Sequence, residues 1–198
     1  MNKSIGDTII LRKEPGPDDP AIINEIIRST GFFREDEVQV AIELVAERLE
    51  KGVESGYEFI FADLVAPDQV NGRTVGYSGK TIGDSGRTVG YACFGLIPCT
   101  LHSYDLYWIA THKDFMHRGI GRKLLEATES AISELGGTGI YVETSSRELY
   151  APTRTFYEKN AYLIKARFED FYDQGDDKIV YVKYVQGSHP REVDQSGK

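Results

Sequence analysis

His117-Arg118-Gly119-Ile120-Gly121-Arg122 stands between a strand-like run, Asp105 to Thr111, and a long amphipathic segment that closes at Leu135. In that segment Ile120, Leu124, Leu125, Thr128, Ala131, Ile132 and Leu135 advance by 4, 1, 3, 3, 1 and 3 residues, which is one face of a helix. Gly136 and Gly137 stop it. The two glycines at the helix start let backbone approach a ligand closely. Unpaired amides there, together with the helix dipole, favour an anion such as a pyrophosphate. Arg118 and Arg122 add cations able to form charge-assisted bonds. On its own a Gly-rich helix start is also an ordinary tight turn. The run satisfies neither the Walker pattern nor the three-glycine dinucleotide fingerprint.

The elements on either side alternate in type. Thr8 to Leu11 reads as a short strand, and two amphipathic helices follow. The first carries Ala21, Ile22, Ile23, Ile26 and Ile27, the second Val38, Val40, Ala41, Leu44, Val45 and Leu49. Strands are expected at Tyr57 to Ala66, Thr88 to Leu96 and Asp105 to Thr111. Beyond the long helix, Ile140 to Thr144 is a strand and Pro152 to Lys159 a short helix with proline in its first turn. Tyr162 to Phe171 and Lys178 to Val185 form a final pair around Gly175. Gly72-Arg73-Thr74-Val75-Gly76-Tyr77 recurs fourteen residues later as Gly86 to Tyr91, and two copies are too few for a solenoid. The repeat within 72–91 reads as a duplication that lengthens a hairpin.

A chain of 198 residues with 40% hydrophobic content supports one core, so residues 1–185 read as a single domain and 186–198 as a loose polar tail. Net charge of -8 without a basic run argues against nucleic acid and anionic lipid as partners. No apolar run approaches membrane-spanning length, and the first residues lack the apolar core of a secretory signal. Cys93 and Cys99 fit neither a disulfide framework nor a structural metal, so a cytoplasmic location and no metal are expected. His112 and His117, five residues apart, make no convincing metal pair.

Met116-His117-Arg118-Gly119-Ile120-Gly121 resembles the cofactor signature of the GNAT superfamily of acyl-CoA-dependent N-acetyltransferases, which reads Gln or Arg, two residues, Gly, one residue, Gly or Ala. A second marker, Phe-Tyr-Glu-Lys-x-Gly-Phe, is matched by Phe156-Tyr157-Glu158-Lys159-Asn160-Ala161-Tyr162. Met116 replaces the leading polar residue, Ala161 replaces a glycine, and Tyr150 stands where many members carry Asn. With Ala at 161, Asn160 is expected to take the left-handed position at the helix exit. The likeness implies a mixed α/β fold: a mostly antiparallel sheet with helices on both faces, splayed between the fourth and fifth strands. It also implies acetyl-CoA as co-substrate, held by His117, Arg118, Gly119, Ile120, Gly121 and Arg122. Dimers, common in similar proteins, are an implied assembly.

Acetyl transfer to an amine needs an unprotonated nucleophile, a stabilised oxyanion and a proton for the departing thiolate. At pH 7 an alkylamine with a pKa of about 10.4 lies roughly 4.6 kcal/mol from its neutral form, an α-amine only about 1.4. Asp105 stands where some members of the superfamily carry a catalytic Glu. It is the candidate base, directly or through water, and Glu143 is the substitute. Asp105 also reads as a cap at the opening of its strand, and Glu143 as a solvent-facing strand residue. Tyr157 matches the tyrosine that protonates the leaving sulfur, and it also reads as a core tyrosine. The backbone at Ile109, Ala110 or Thr111 is the implied oxyanion donor.

Trp108, Phe168, Phe171 and Tyr172 read as core or pocket wall, and Asp170, Asp173, Asp176 and Asp177 as a solvated turn that would attract a cation. Cys93 reads as buried and unreactive. The acceptor is an amine on a small molecule or a peptide. The rival is a non-catalytic acyl-CoA-binding sensor or interaction domain that has kept the loop and lost turnover.

Overall fold

Alternation and helical periodicity resolve in the computed structural model into eleven elements, and the structure describes residues 8–65 and 86–185. In chain order they are β1 (Thr8–Arg12), α1 (Asp19–Thr30), α2 (Glu35–Lys51), β2 (Tyr57–Val65), β3 (Gly86–Leu96), β4 (Ser103–Thr111), α3 (Ile120–Glu134), β5 (Gly139–Ser145), α4 (Ala151–Lys159), β6 (Leu163–Asp173) and β7 (Asp176–Tyr184). The strands form one mixed sheet in the order β1-β2-β3-β4-β5-β7-β6. The β1–β2, β2–β3, β5–β7 and β6–β7 ladders are antiparallel and β4–β5 is parallel. This is the α/β class the sequence implies. The β4–β5 ladder covers three pairs, Ser103↔Gly139 to Asp105↔Tyr141, although β4 continues to Thr111 and β5 to Ser145.

The described residues form two compact units, those within Met1–Gly95 with Leu106–Ala127, and those within Leu96–Asp105 with Thr128–Lys198. In the first, α1 and α2 bring Ile23, Ile26, Ile27, Val38, Ala41 and Val45 onto Phe59, Phe61, Tyr91 and Cys93 of the sheet. Each of the isoleucine, valine and phenylalanine side chains among them, fully buried, is worth about 1.5–3 kcal/mol of transfer free energy. Successive strand residues point to opposite faces. Gly90, next to Tyr91, therefore turns to the other side, where an added Cβ would stand 2.9 Å from the Ala110 carbonyl and 3.1 Å from Leu124 of α3. Helices thus cover both faces. Trp108 packs against this core with its ring 4.9 Å from Phe33, as expected.

In the second unit α4 lays Tyr157 on Tyr162 and Tyr181. The turn after α3 is tight, because a Cβ on Gly137 would meet Ile132 at 2.4 Å and Tyr104 at 2.7 Å. β6 is the outer strand, and nearly all of it is exposed.

Several expectations are corrected. On α2 the apolar positions Val40 and Leu49 are exposed, and Arg48 turns inward instead, 3.5 Å from Glu58 and 3.4 Å from Glu14. Leu135 lies beyond the end of α3 and is exposed. Ala161, not Asn160, adopts the left-handed backbone, at φ 65°, while the Asn160 side chain caps the Phe156 carbonyl at 2.8 Å. Phe168, Phe171 and Tyr172 are exposed rather than core. Asp176 and Asp177 are buried, not solvated: Asp176 accepts from Ser145 and pairs with Arg147, and Asp177 pairs with Arg167. Of the duplicated segment, the second copy opens β3, whereas residues 72–85, like the polar tail 186–198, lie outside the described residues. Among the described residues, no helix is long and apolar enough to cross a membrane.

Candidate active site

The anion cradle is built by the turn that leads β4 into α3. Thr111 is followed by His112, whose amide donates to the Val89 carbonyl at 2.8 Å and whose Nδ1 accepts from the Asp114 amide at 3.3 Å. His112 is therefore a buried turn-former. Its Nε2 lies 3.5 Å from Arg87 and 3.7 Å from Glu25 of α1. Ser29 of α1 accepts from the Lys113 amide at 3.1 Å, so α1 fixes the turn from outside. His117 and Gly119 then both take positive φ, 61° and 78°. The left-handed pair reverses the chain into α3, and Gly119 is the position where the conformation is free of a Cβ penalty.

The first intrahelical bond runs from the Lys123 amide to the Gly119 carbonyl at 3.1 Å, which leaves the amides of residues 119–122 without a helical acceptor. The space a Cβ on Gly119 would occupy has no atom within 4 Å. Open space beside unpaired amides at the positive end of a fifteen-residue helix suits a diphosphate. Arg118 and Arg122 are exposed and held in place. Arg118 donates to the Asp114 carbonyl at 3.1 Å and lies over the Phe115 ring, and Arg122 pairs with Glu126 at 2.7 Å. Of the proposed oxyanion residues, Ala110 is buried and Ile109 and Thr111 are half-buried near the end of β4.

The second unit carries the acid–base candidates. Asp105 is the third residue of β4, not its first, and is half-buried. Its carboxyl is pushed up to about 6, chiefly by burial and then by Glu143, with Lys178 opposing. Its ladder partner is Tyr141, and Glu143 lies two residues further along the same face of β5. Glu143 is solvent-facing, as read, and is held by Lys178 of β7 at 2.9 Å. Lys178 has a side chain only 16% exposed and also lies over the rings of Phe171 and Phe168, 4.2 and 5.6 Å from their centroids. Tyr157 sits among rings, 5.4 Å from Phe156, 5.5 Å from Tyr162 and 5.8 Å from Tyr181, and burial raises its phenol well above the usual value. Asp105 is thus brought together with Glu143 and Lys178, and Tyr157 with other tyrosines. Sequence reasoning passed over Lys178. Its signal was the alternation of β7, which puts Lys178, Val180 and Val182 opposite the buried Ile179 and Tyr181.

A mixed sheet with one short parallel ladder, and a glycine turn opening the helix between its parallel strands, give the fold that the resemblance implies. A family model described as the acetyltransferase (GNAT) domain matches residues 72–162. A solved structure of a GNAT-family protein from Desulfovibrio desulfuricans is 36% identical over 89% of this chain and 99% of that one, with a TM-score of 0.76. The chain belongs to the GNAT family of acetyltransferases. Two more distant structures share the fold. One is the ribosomal-protein-S18-alanine N-acetyltransferase from Escherichia coli, 16% identical over 93% and 98% of the two chains, TM-score 0.63. The other is the PaiA N-acetyltransferase from Thermoplasma acidophilum, in complex with coenzyme A, 16% identical over 90% and 99%, TM-score 0.60. No curated protein matches the chain.

Proposed function

We propose that this chain is an N-acetyltransferase that moves the acetyl group of acetyl-CoA to a primary amine by direct attack through a tetrahedral intermediate. Residues 1–185 act as one catalytic domain. The observation that carries the reading is Asp105, a half-buried carboxyl pushed up to about 6 on the strand that leads to the cradle. Such a group is mostly ionised at neutral pH, yet is a better proton acceptor than an ordinary aspartate. Asp105 takes the proton of the incoming ammonium, directly or through water. The amides from Gly119 to Arg122 bind the diphosphate, with His117 and Arg118 shaping the turn and Arg122 adding charge at its rim. A backbone amide at Ile109, Ala110 or Thr111 donates to the oxyanion, fixed before the reaction begins. Tyr157, whose burial keeps its phenol protonated throughout the working pH range, supplies the proton for the leaving sulfur.

The acceptor is a small-molecule or peptide amine, and the reaction takes place in the cytoplasm. A second copy of the chain is the proposed assembly partner. Support comes from the outer strand β6, which exposes Leu163, Ile164, Phe168 and Phe171. It runs from Lys165 and Arg167 to Glu169, Asp170 and Asp173, a charge order that matches itself when two copies lie antiparallel. The reading is tested by following thiol release from acetyl-CoA with a panel of amines. Turnover with one class of amine supports it. Heat on titration with coenzyme A, without turnover on any amine, would favour the non-catalytic acyl-CoA-binding alternative.

A further inference from the structure

Two carboxylates on adjacent strands share one face of the sheet, and only one of them is engaged. Glu143 accepts from Lys178 at 2.9 Å, whereas among the described residues no side-chain hydrogen bond engages Asp105. Lys178 is unusual for a lysine in having little freedom. Ser145 is its ladder partner on β5 and Phe168 its partner on β6, and its ammonium is closed in by Glu143 and the rings of Phe171 and Phe168. A carboxylate and two ring faces around an ammonium disfavour its movement. Lys178 is therefore fixed in place. Among the described residues the charges that act on Asp105 are Glu143, from β5, and Lys178, from β7.

We propose that Lys178 is a positioning residue for acetyl transfer: by occupying Glu143 it leaves Asp105, of these two carboxylates, as the unpaired one that an incoming amine meets. The inference deepens the proposed function and rests on it. An open Glu143 would offer the acceptor's ammonium a second partner on the neighbouring strand, two residues beyond the ladder partner of the base, where its proton has no productive destination. It would also leave two like charges close together, so that the pair would share a proton over a broad pH range and neither would act as a clean base. The Lys178–Glu143 pair eases both problems, because it occupies Glu143 and offsets part of its charge at Asp105.

The test follows Asp105 itself by carbon-detected NMR titration of its side-chain carboxyl in the free protein, alongside the pH dependence of kcat/KM. In Lys178→Met, which keeps an apolar stem against the rings, the Asp105 midpoint and the acid limb of the rate profile both move up by about half a pH unit or more. Lys178→Arg keeps the wild-type midpoint. Glu143→Gln moves it down, and the double variant falls between the two single ones. A Lys178→Met protein whose rate falls uniformly while the midpoint stays put, or a Lys178→Arg protein that behaves like the Met variant, overturns the proposal. The titration does not require turnover. A midpoint that moves in a protein inactive toward every amine sinks the transferase reading and leaves the coupling intact, whereas an active enzyme with an unmoved midpoint sinks the coupling alone.

Discussion

Asp105 holds a carboxylate where burial and Glu143 both disfavour its charge, so the site should cost the fold stability at neutral pH. With the folded value raised, the folded state binds more protons between the ordinary aspartate range and about pH 6. Stability from this group is complete below the unfolded value and is lost as pH rises through about 6. Replacement of Asp105 by Asn is then expected to stabilise the protein at pH 7.5 by about 1–2 kcal/mol, discounted for its partial exposure, and by no more than a few tenths of that at pH 4. Thermal melts at the two pH values check this, and equal effects at both would contradict it. Tyr157 gives a cleaner separation of roles. Phenylalanine keeps the ring against Tyr162 and Tyr181, so Tyr157→Phe should melt within a few degrees of wild type and bind coenzyme A normally. It should lose turnover at least about tenfold. Unchanged turnover removes Tyr157 from the mechanism and leaves it a core residue.

At the scale of elements, two turns in left-handed backbone have opposite prospects. At Gly119 an alanine meets no atom but must hold φ 78°, so Gly119→Ala should destabilise by about 1 kcal/mol. Its methyl would also stand in the space beside the free amides, and calorimetry should show coenzyme A affinity falling by about tenfold or more. At Ala161 the penalty is already present, at φ 65°. Ala161→Gly should therefore stabilise by about 0.5–1 kcal/mol and leave coenzyme A affinity unchanged. A gain at Gly119 or a loss at Ala161, read from denaturant midpoints, would reverse this account of the two turns.

For the molecule as a whole, the antiparallel charge order of β6 predicts a dimer by sedimentation velocity. Lys165→Glu should weaken it, since like charges then face one another twice across a two-fold contact. A monomer at every concentration contradicts that assembly.

Much of this architecture was legible in the chain because its strands and helices obey clean periods. The eleven elements fall within a few residues of where alternation and helical spacing set them, and Gly119 marked the start of α3 by its chemistry. What escaped notice depends on neighbours distant in sequence. The inward turn of Arg48 follows from carboxylates on other elements, not from its helix pattern. The insertion of β7 between β5 and β6 leaves no local trace, since either order satisfies the same alternation. For the same reason the acid–base group was only half visible. Asp105 and Glu143 were identifiable as carboxylates on strands, but the charge that sorts them arrives with Lys178 from a third strand, 35 residues beyond Glu143.

The most direct measurement is the pH dependence of thiol release from acetyl-CoA by wild type and by Asp105→Asn, using an alkylamine and an α-amine as acceptors. The account predicts that wild-type kcat/KM falls away below about pH 6. Asp105→Asn should lose about a hundredfold or more with the alkylamine and considerably less with the α-amine, whose neutral form is already accessible. Equal activity of the two proteins on both amines across the pH range would contradict it.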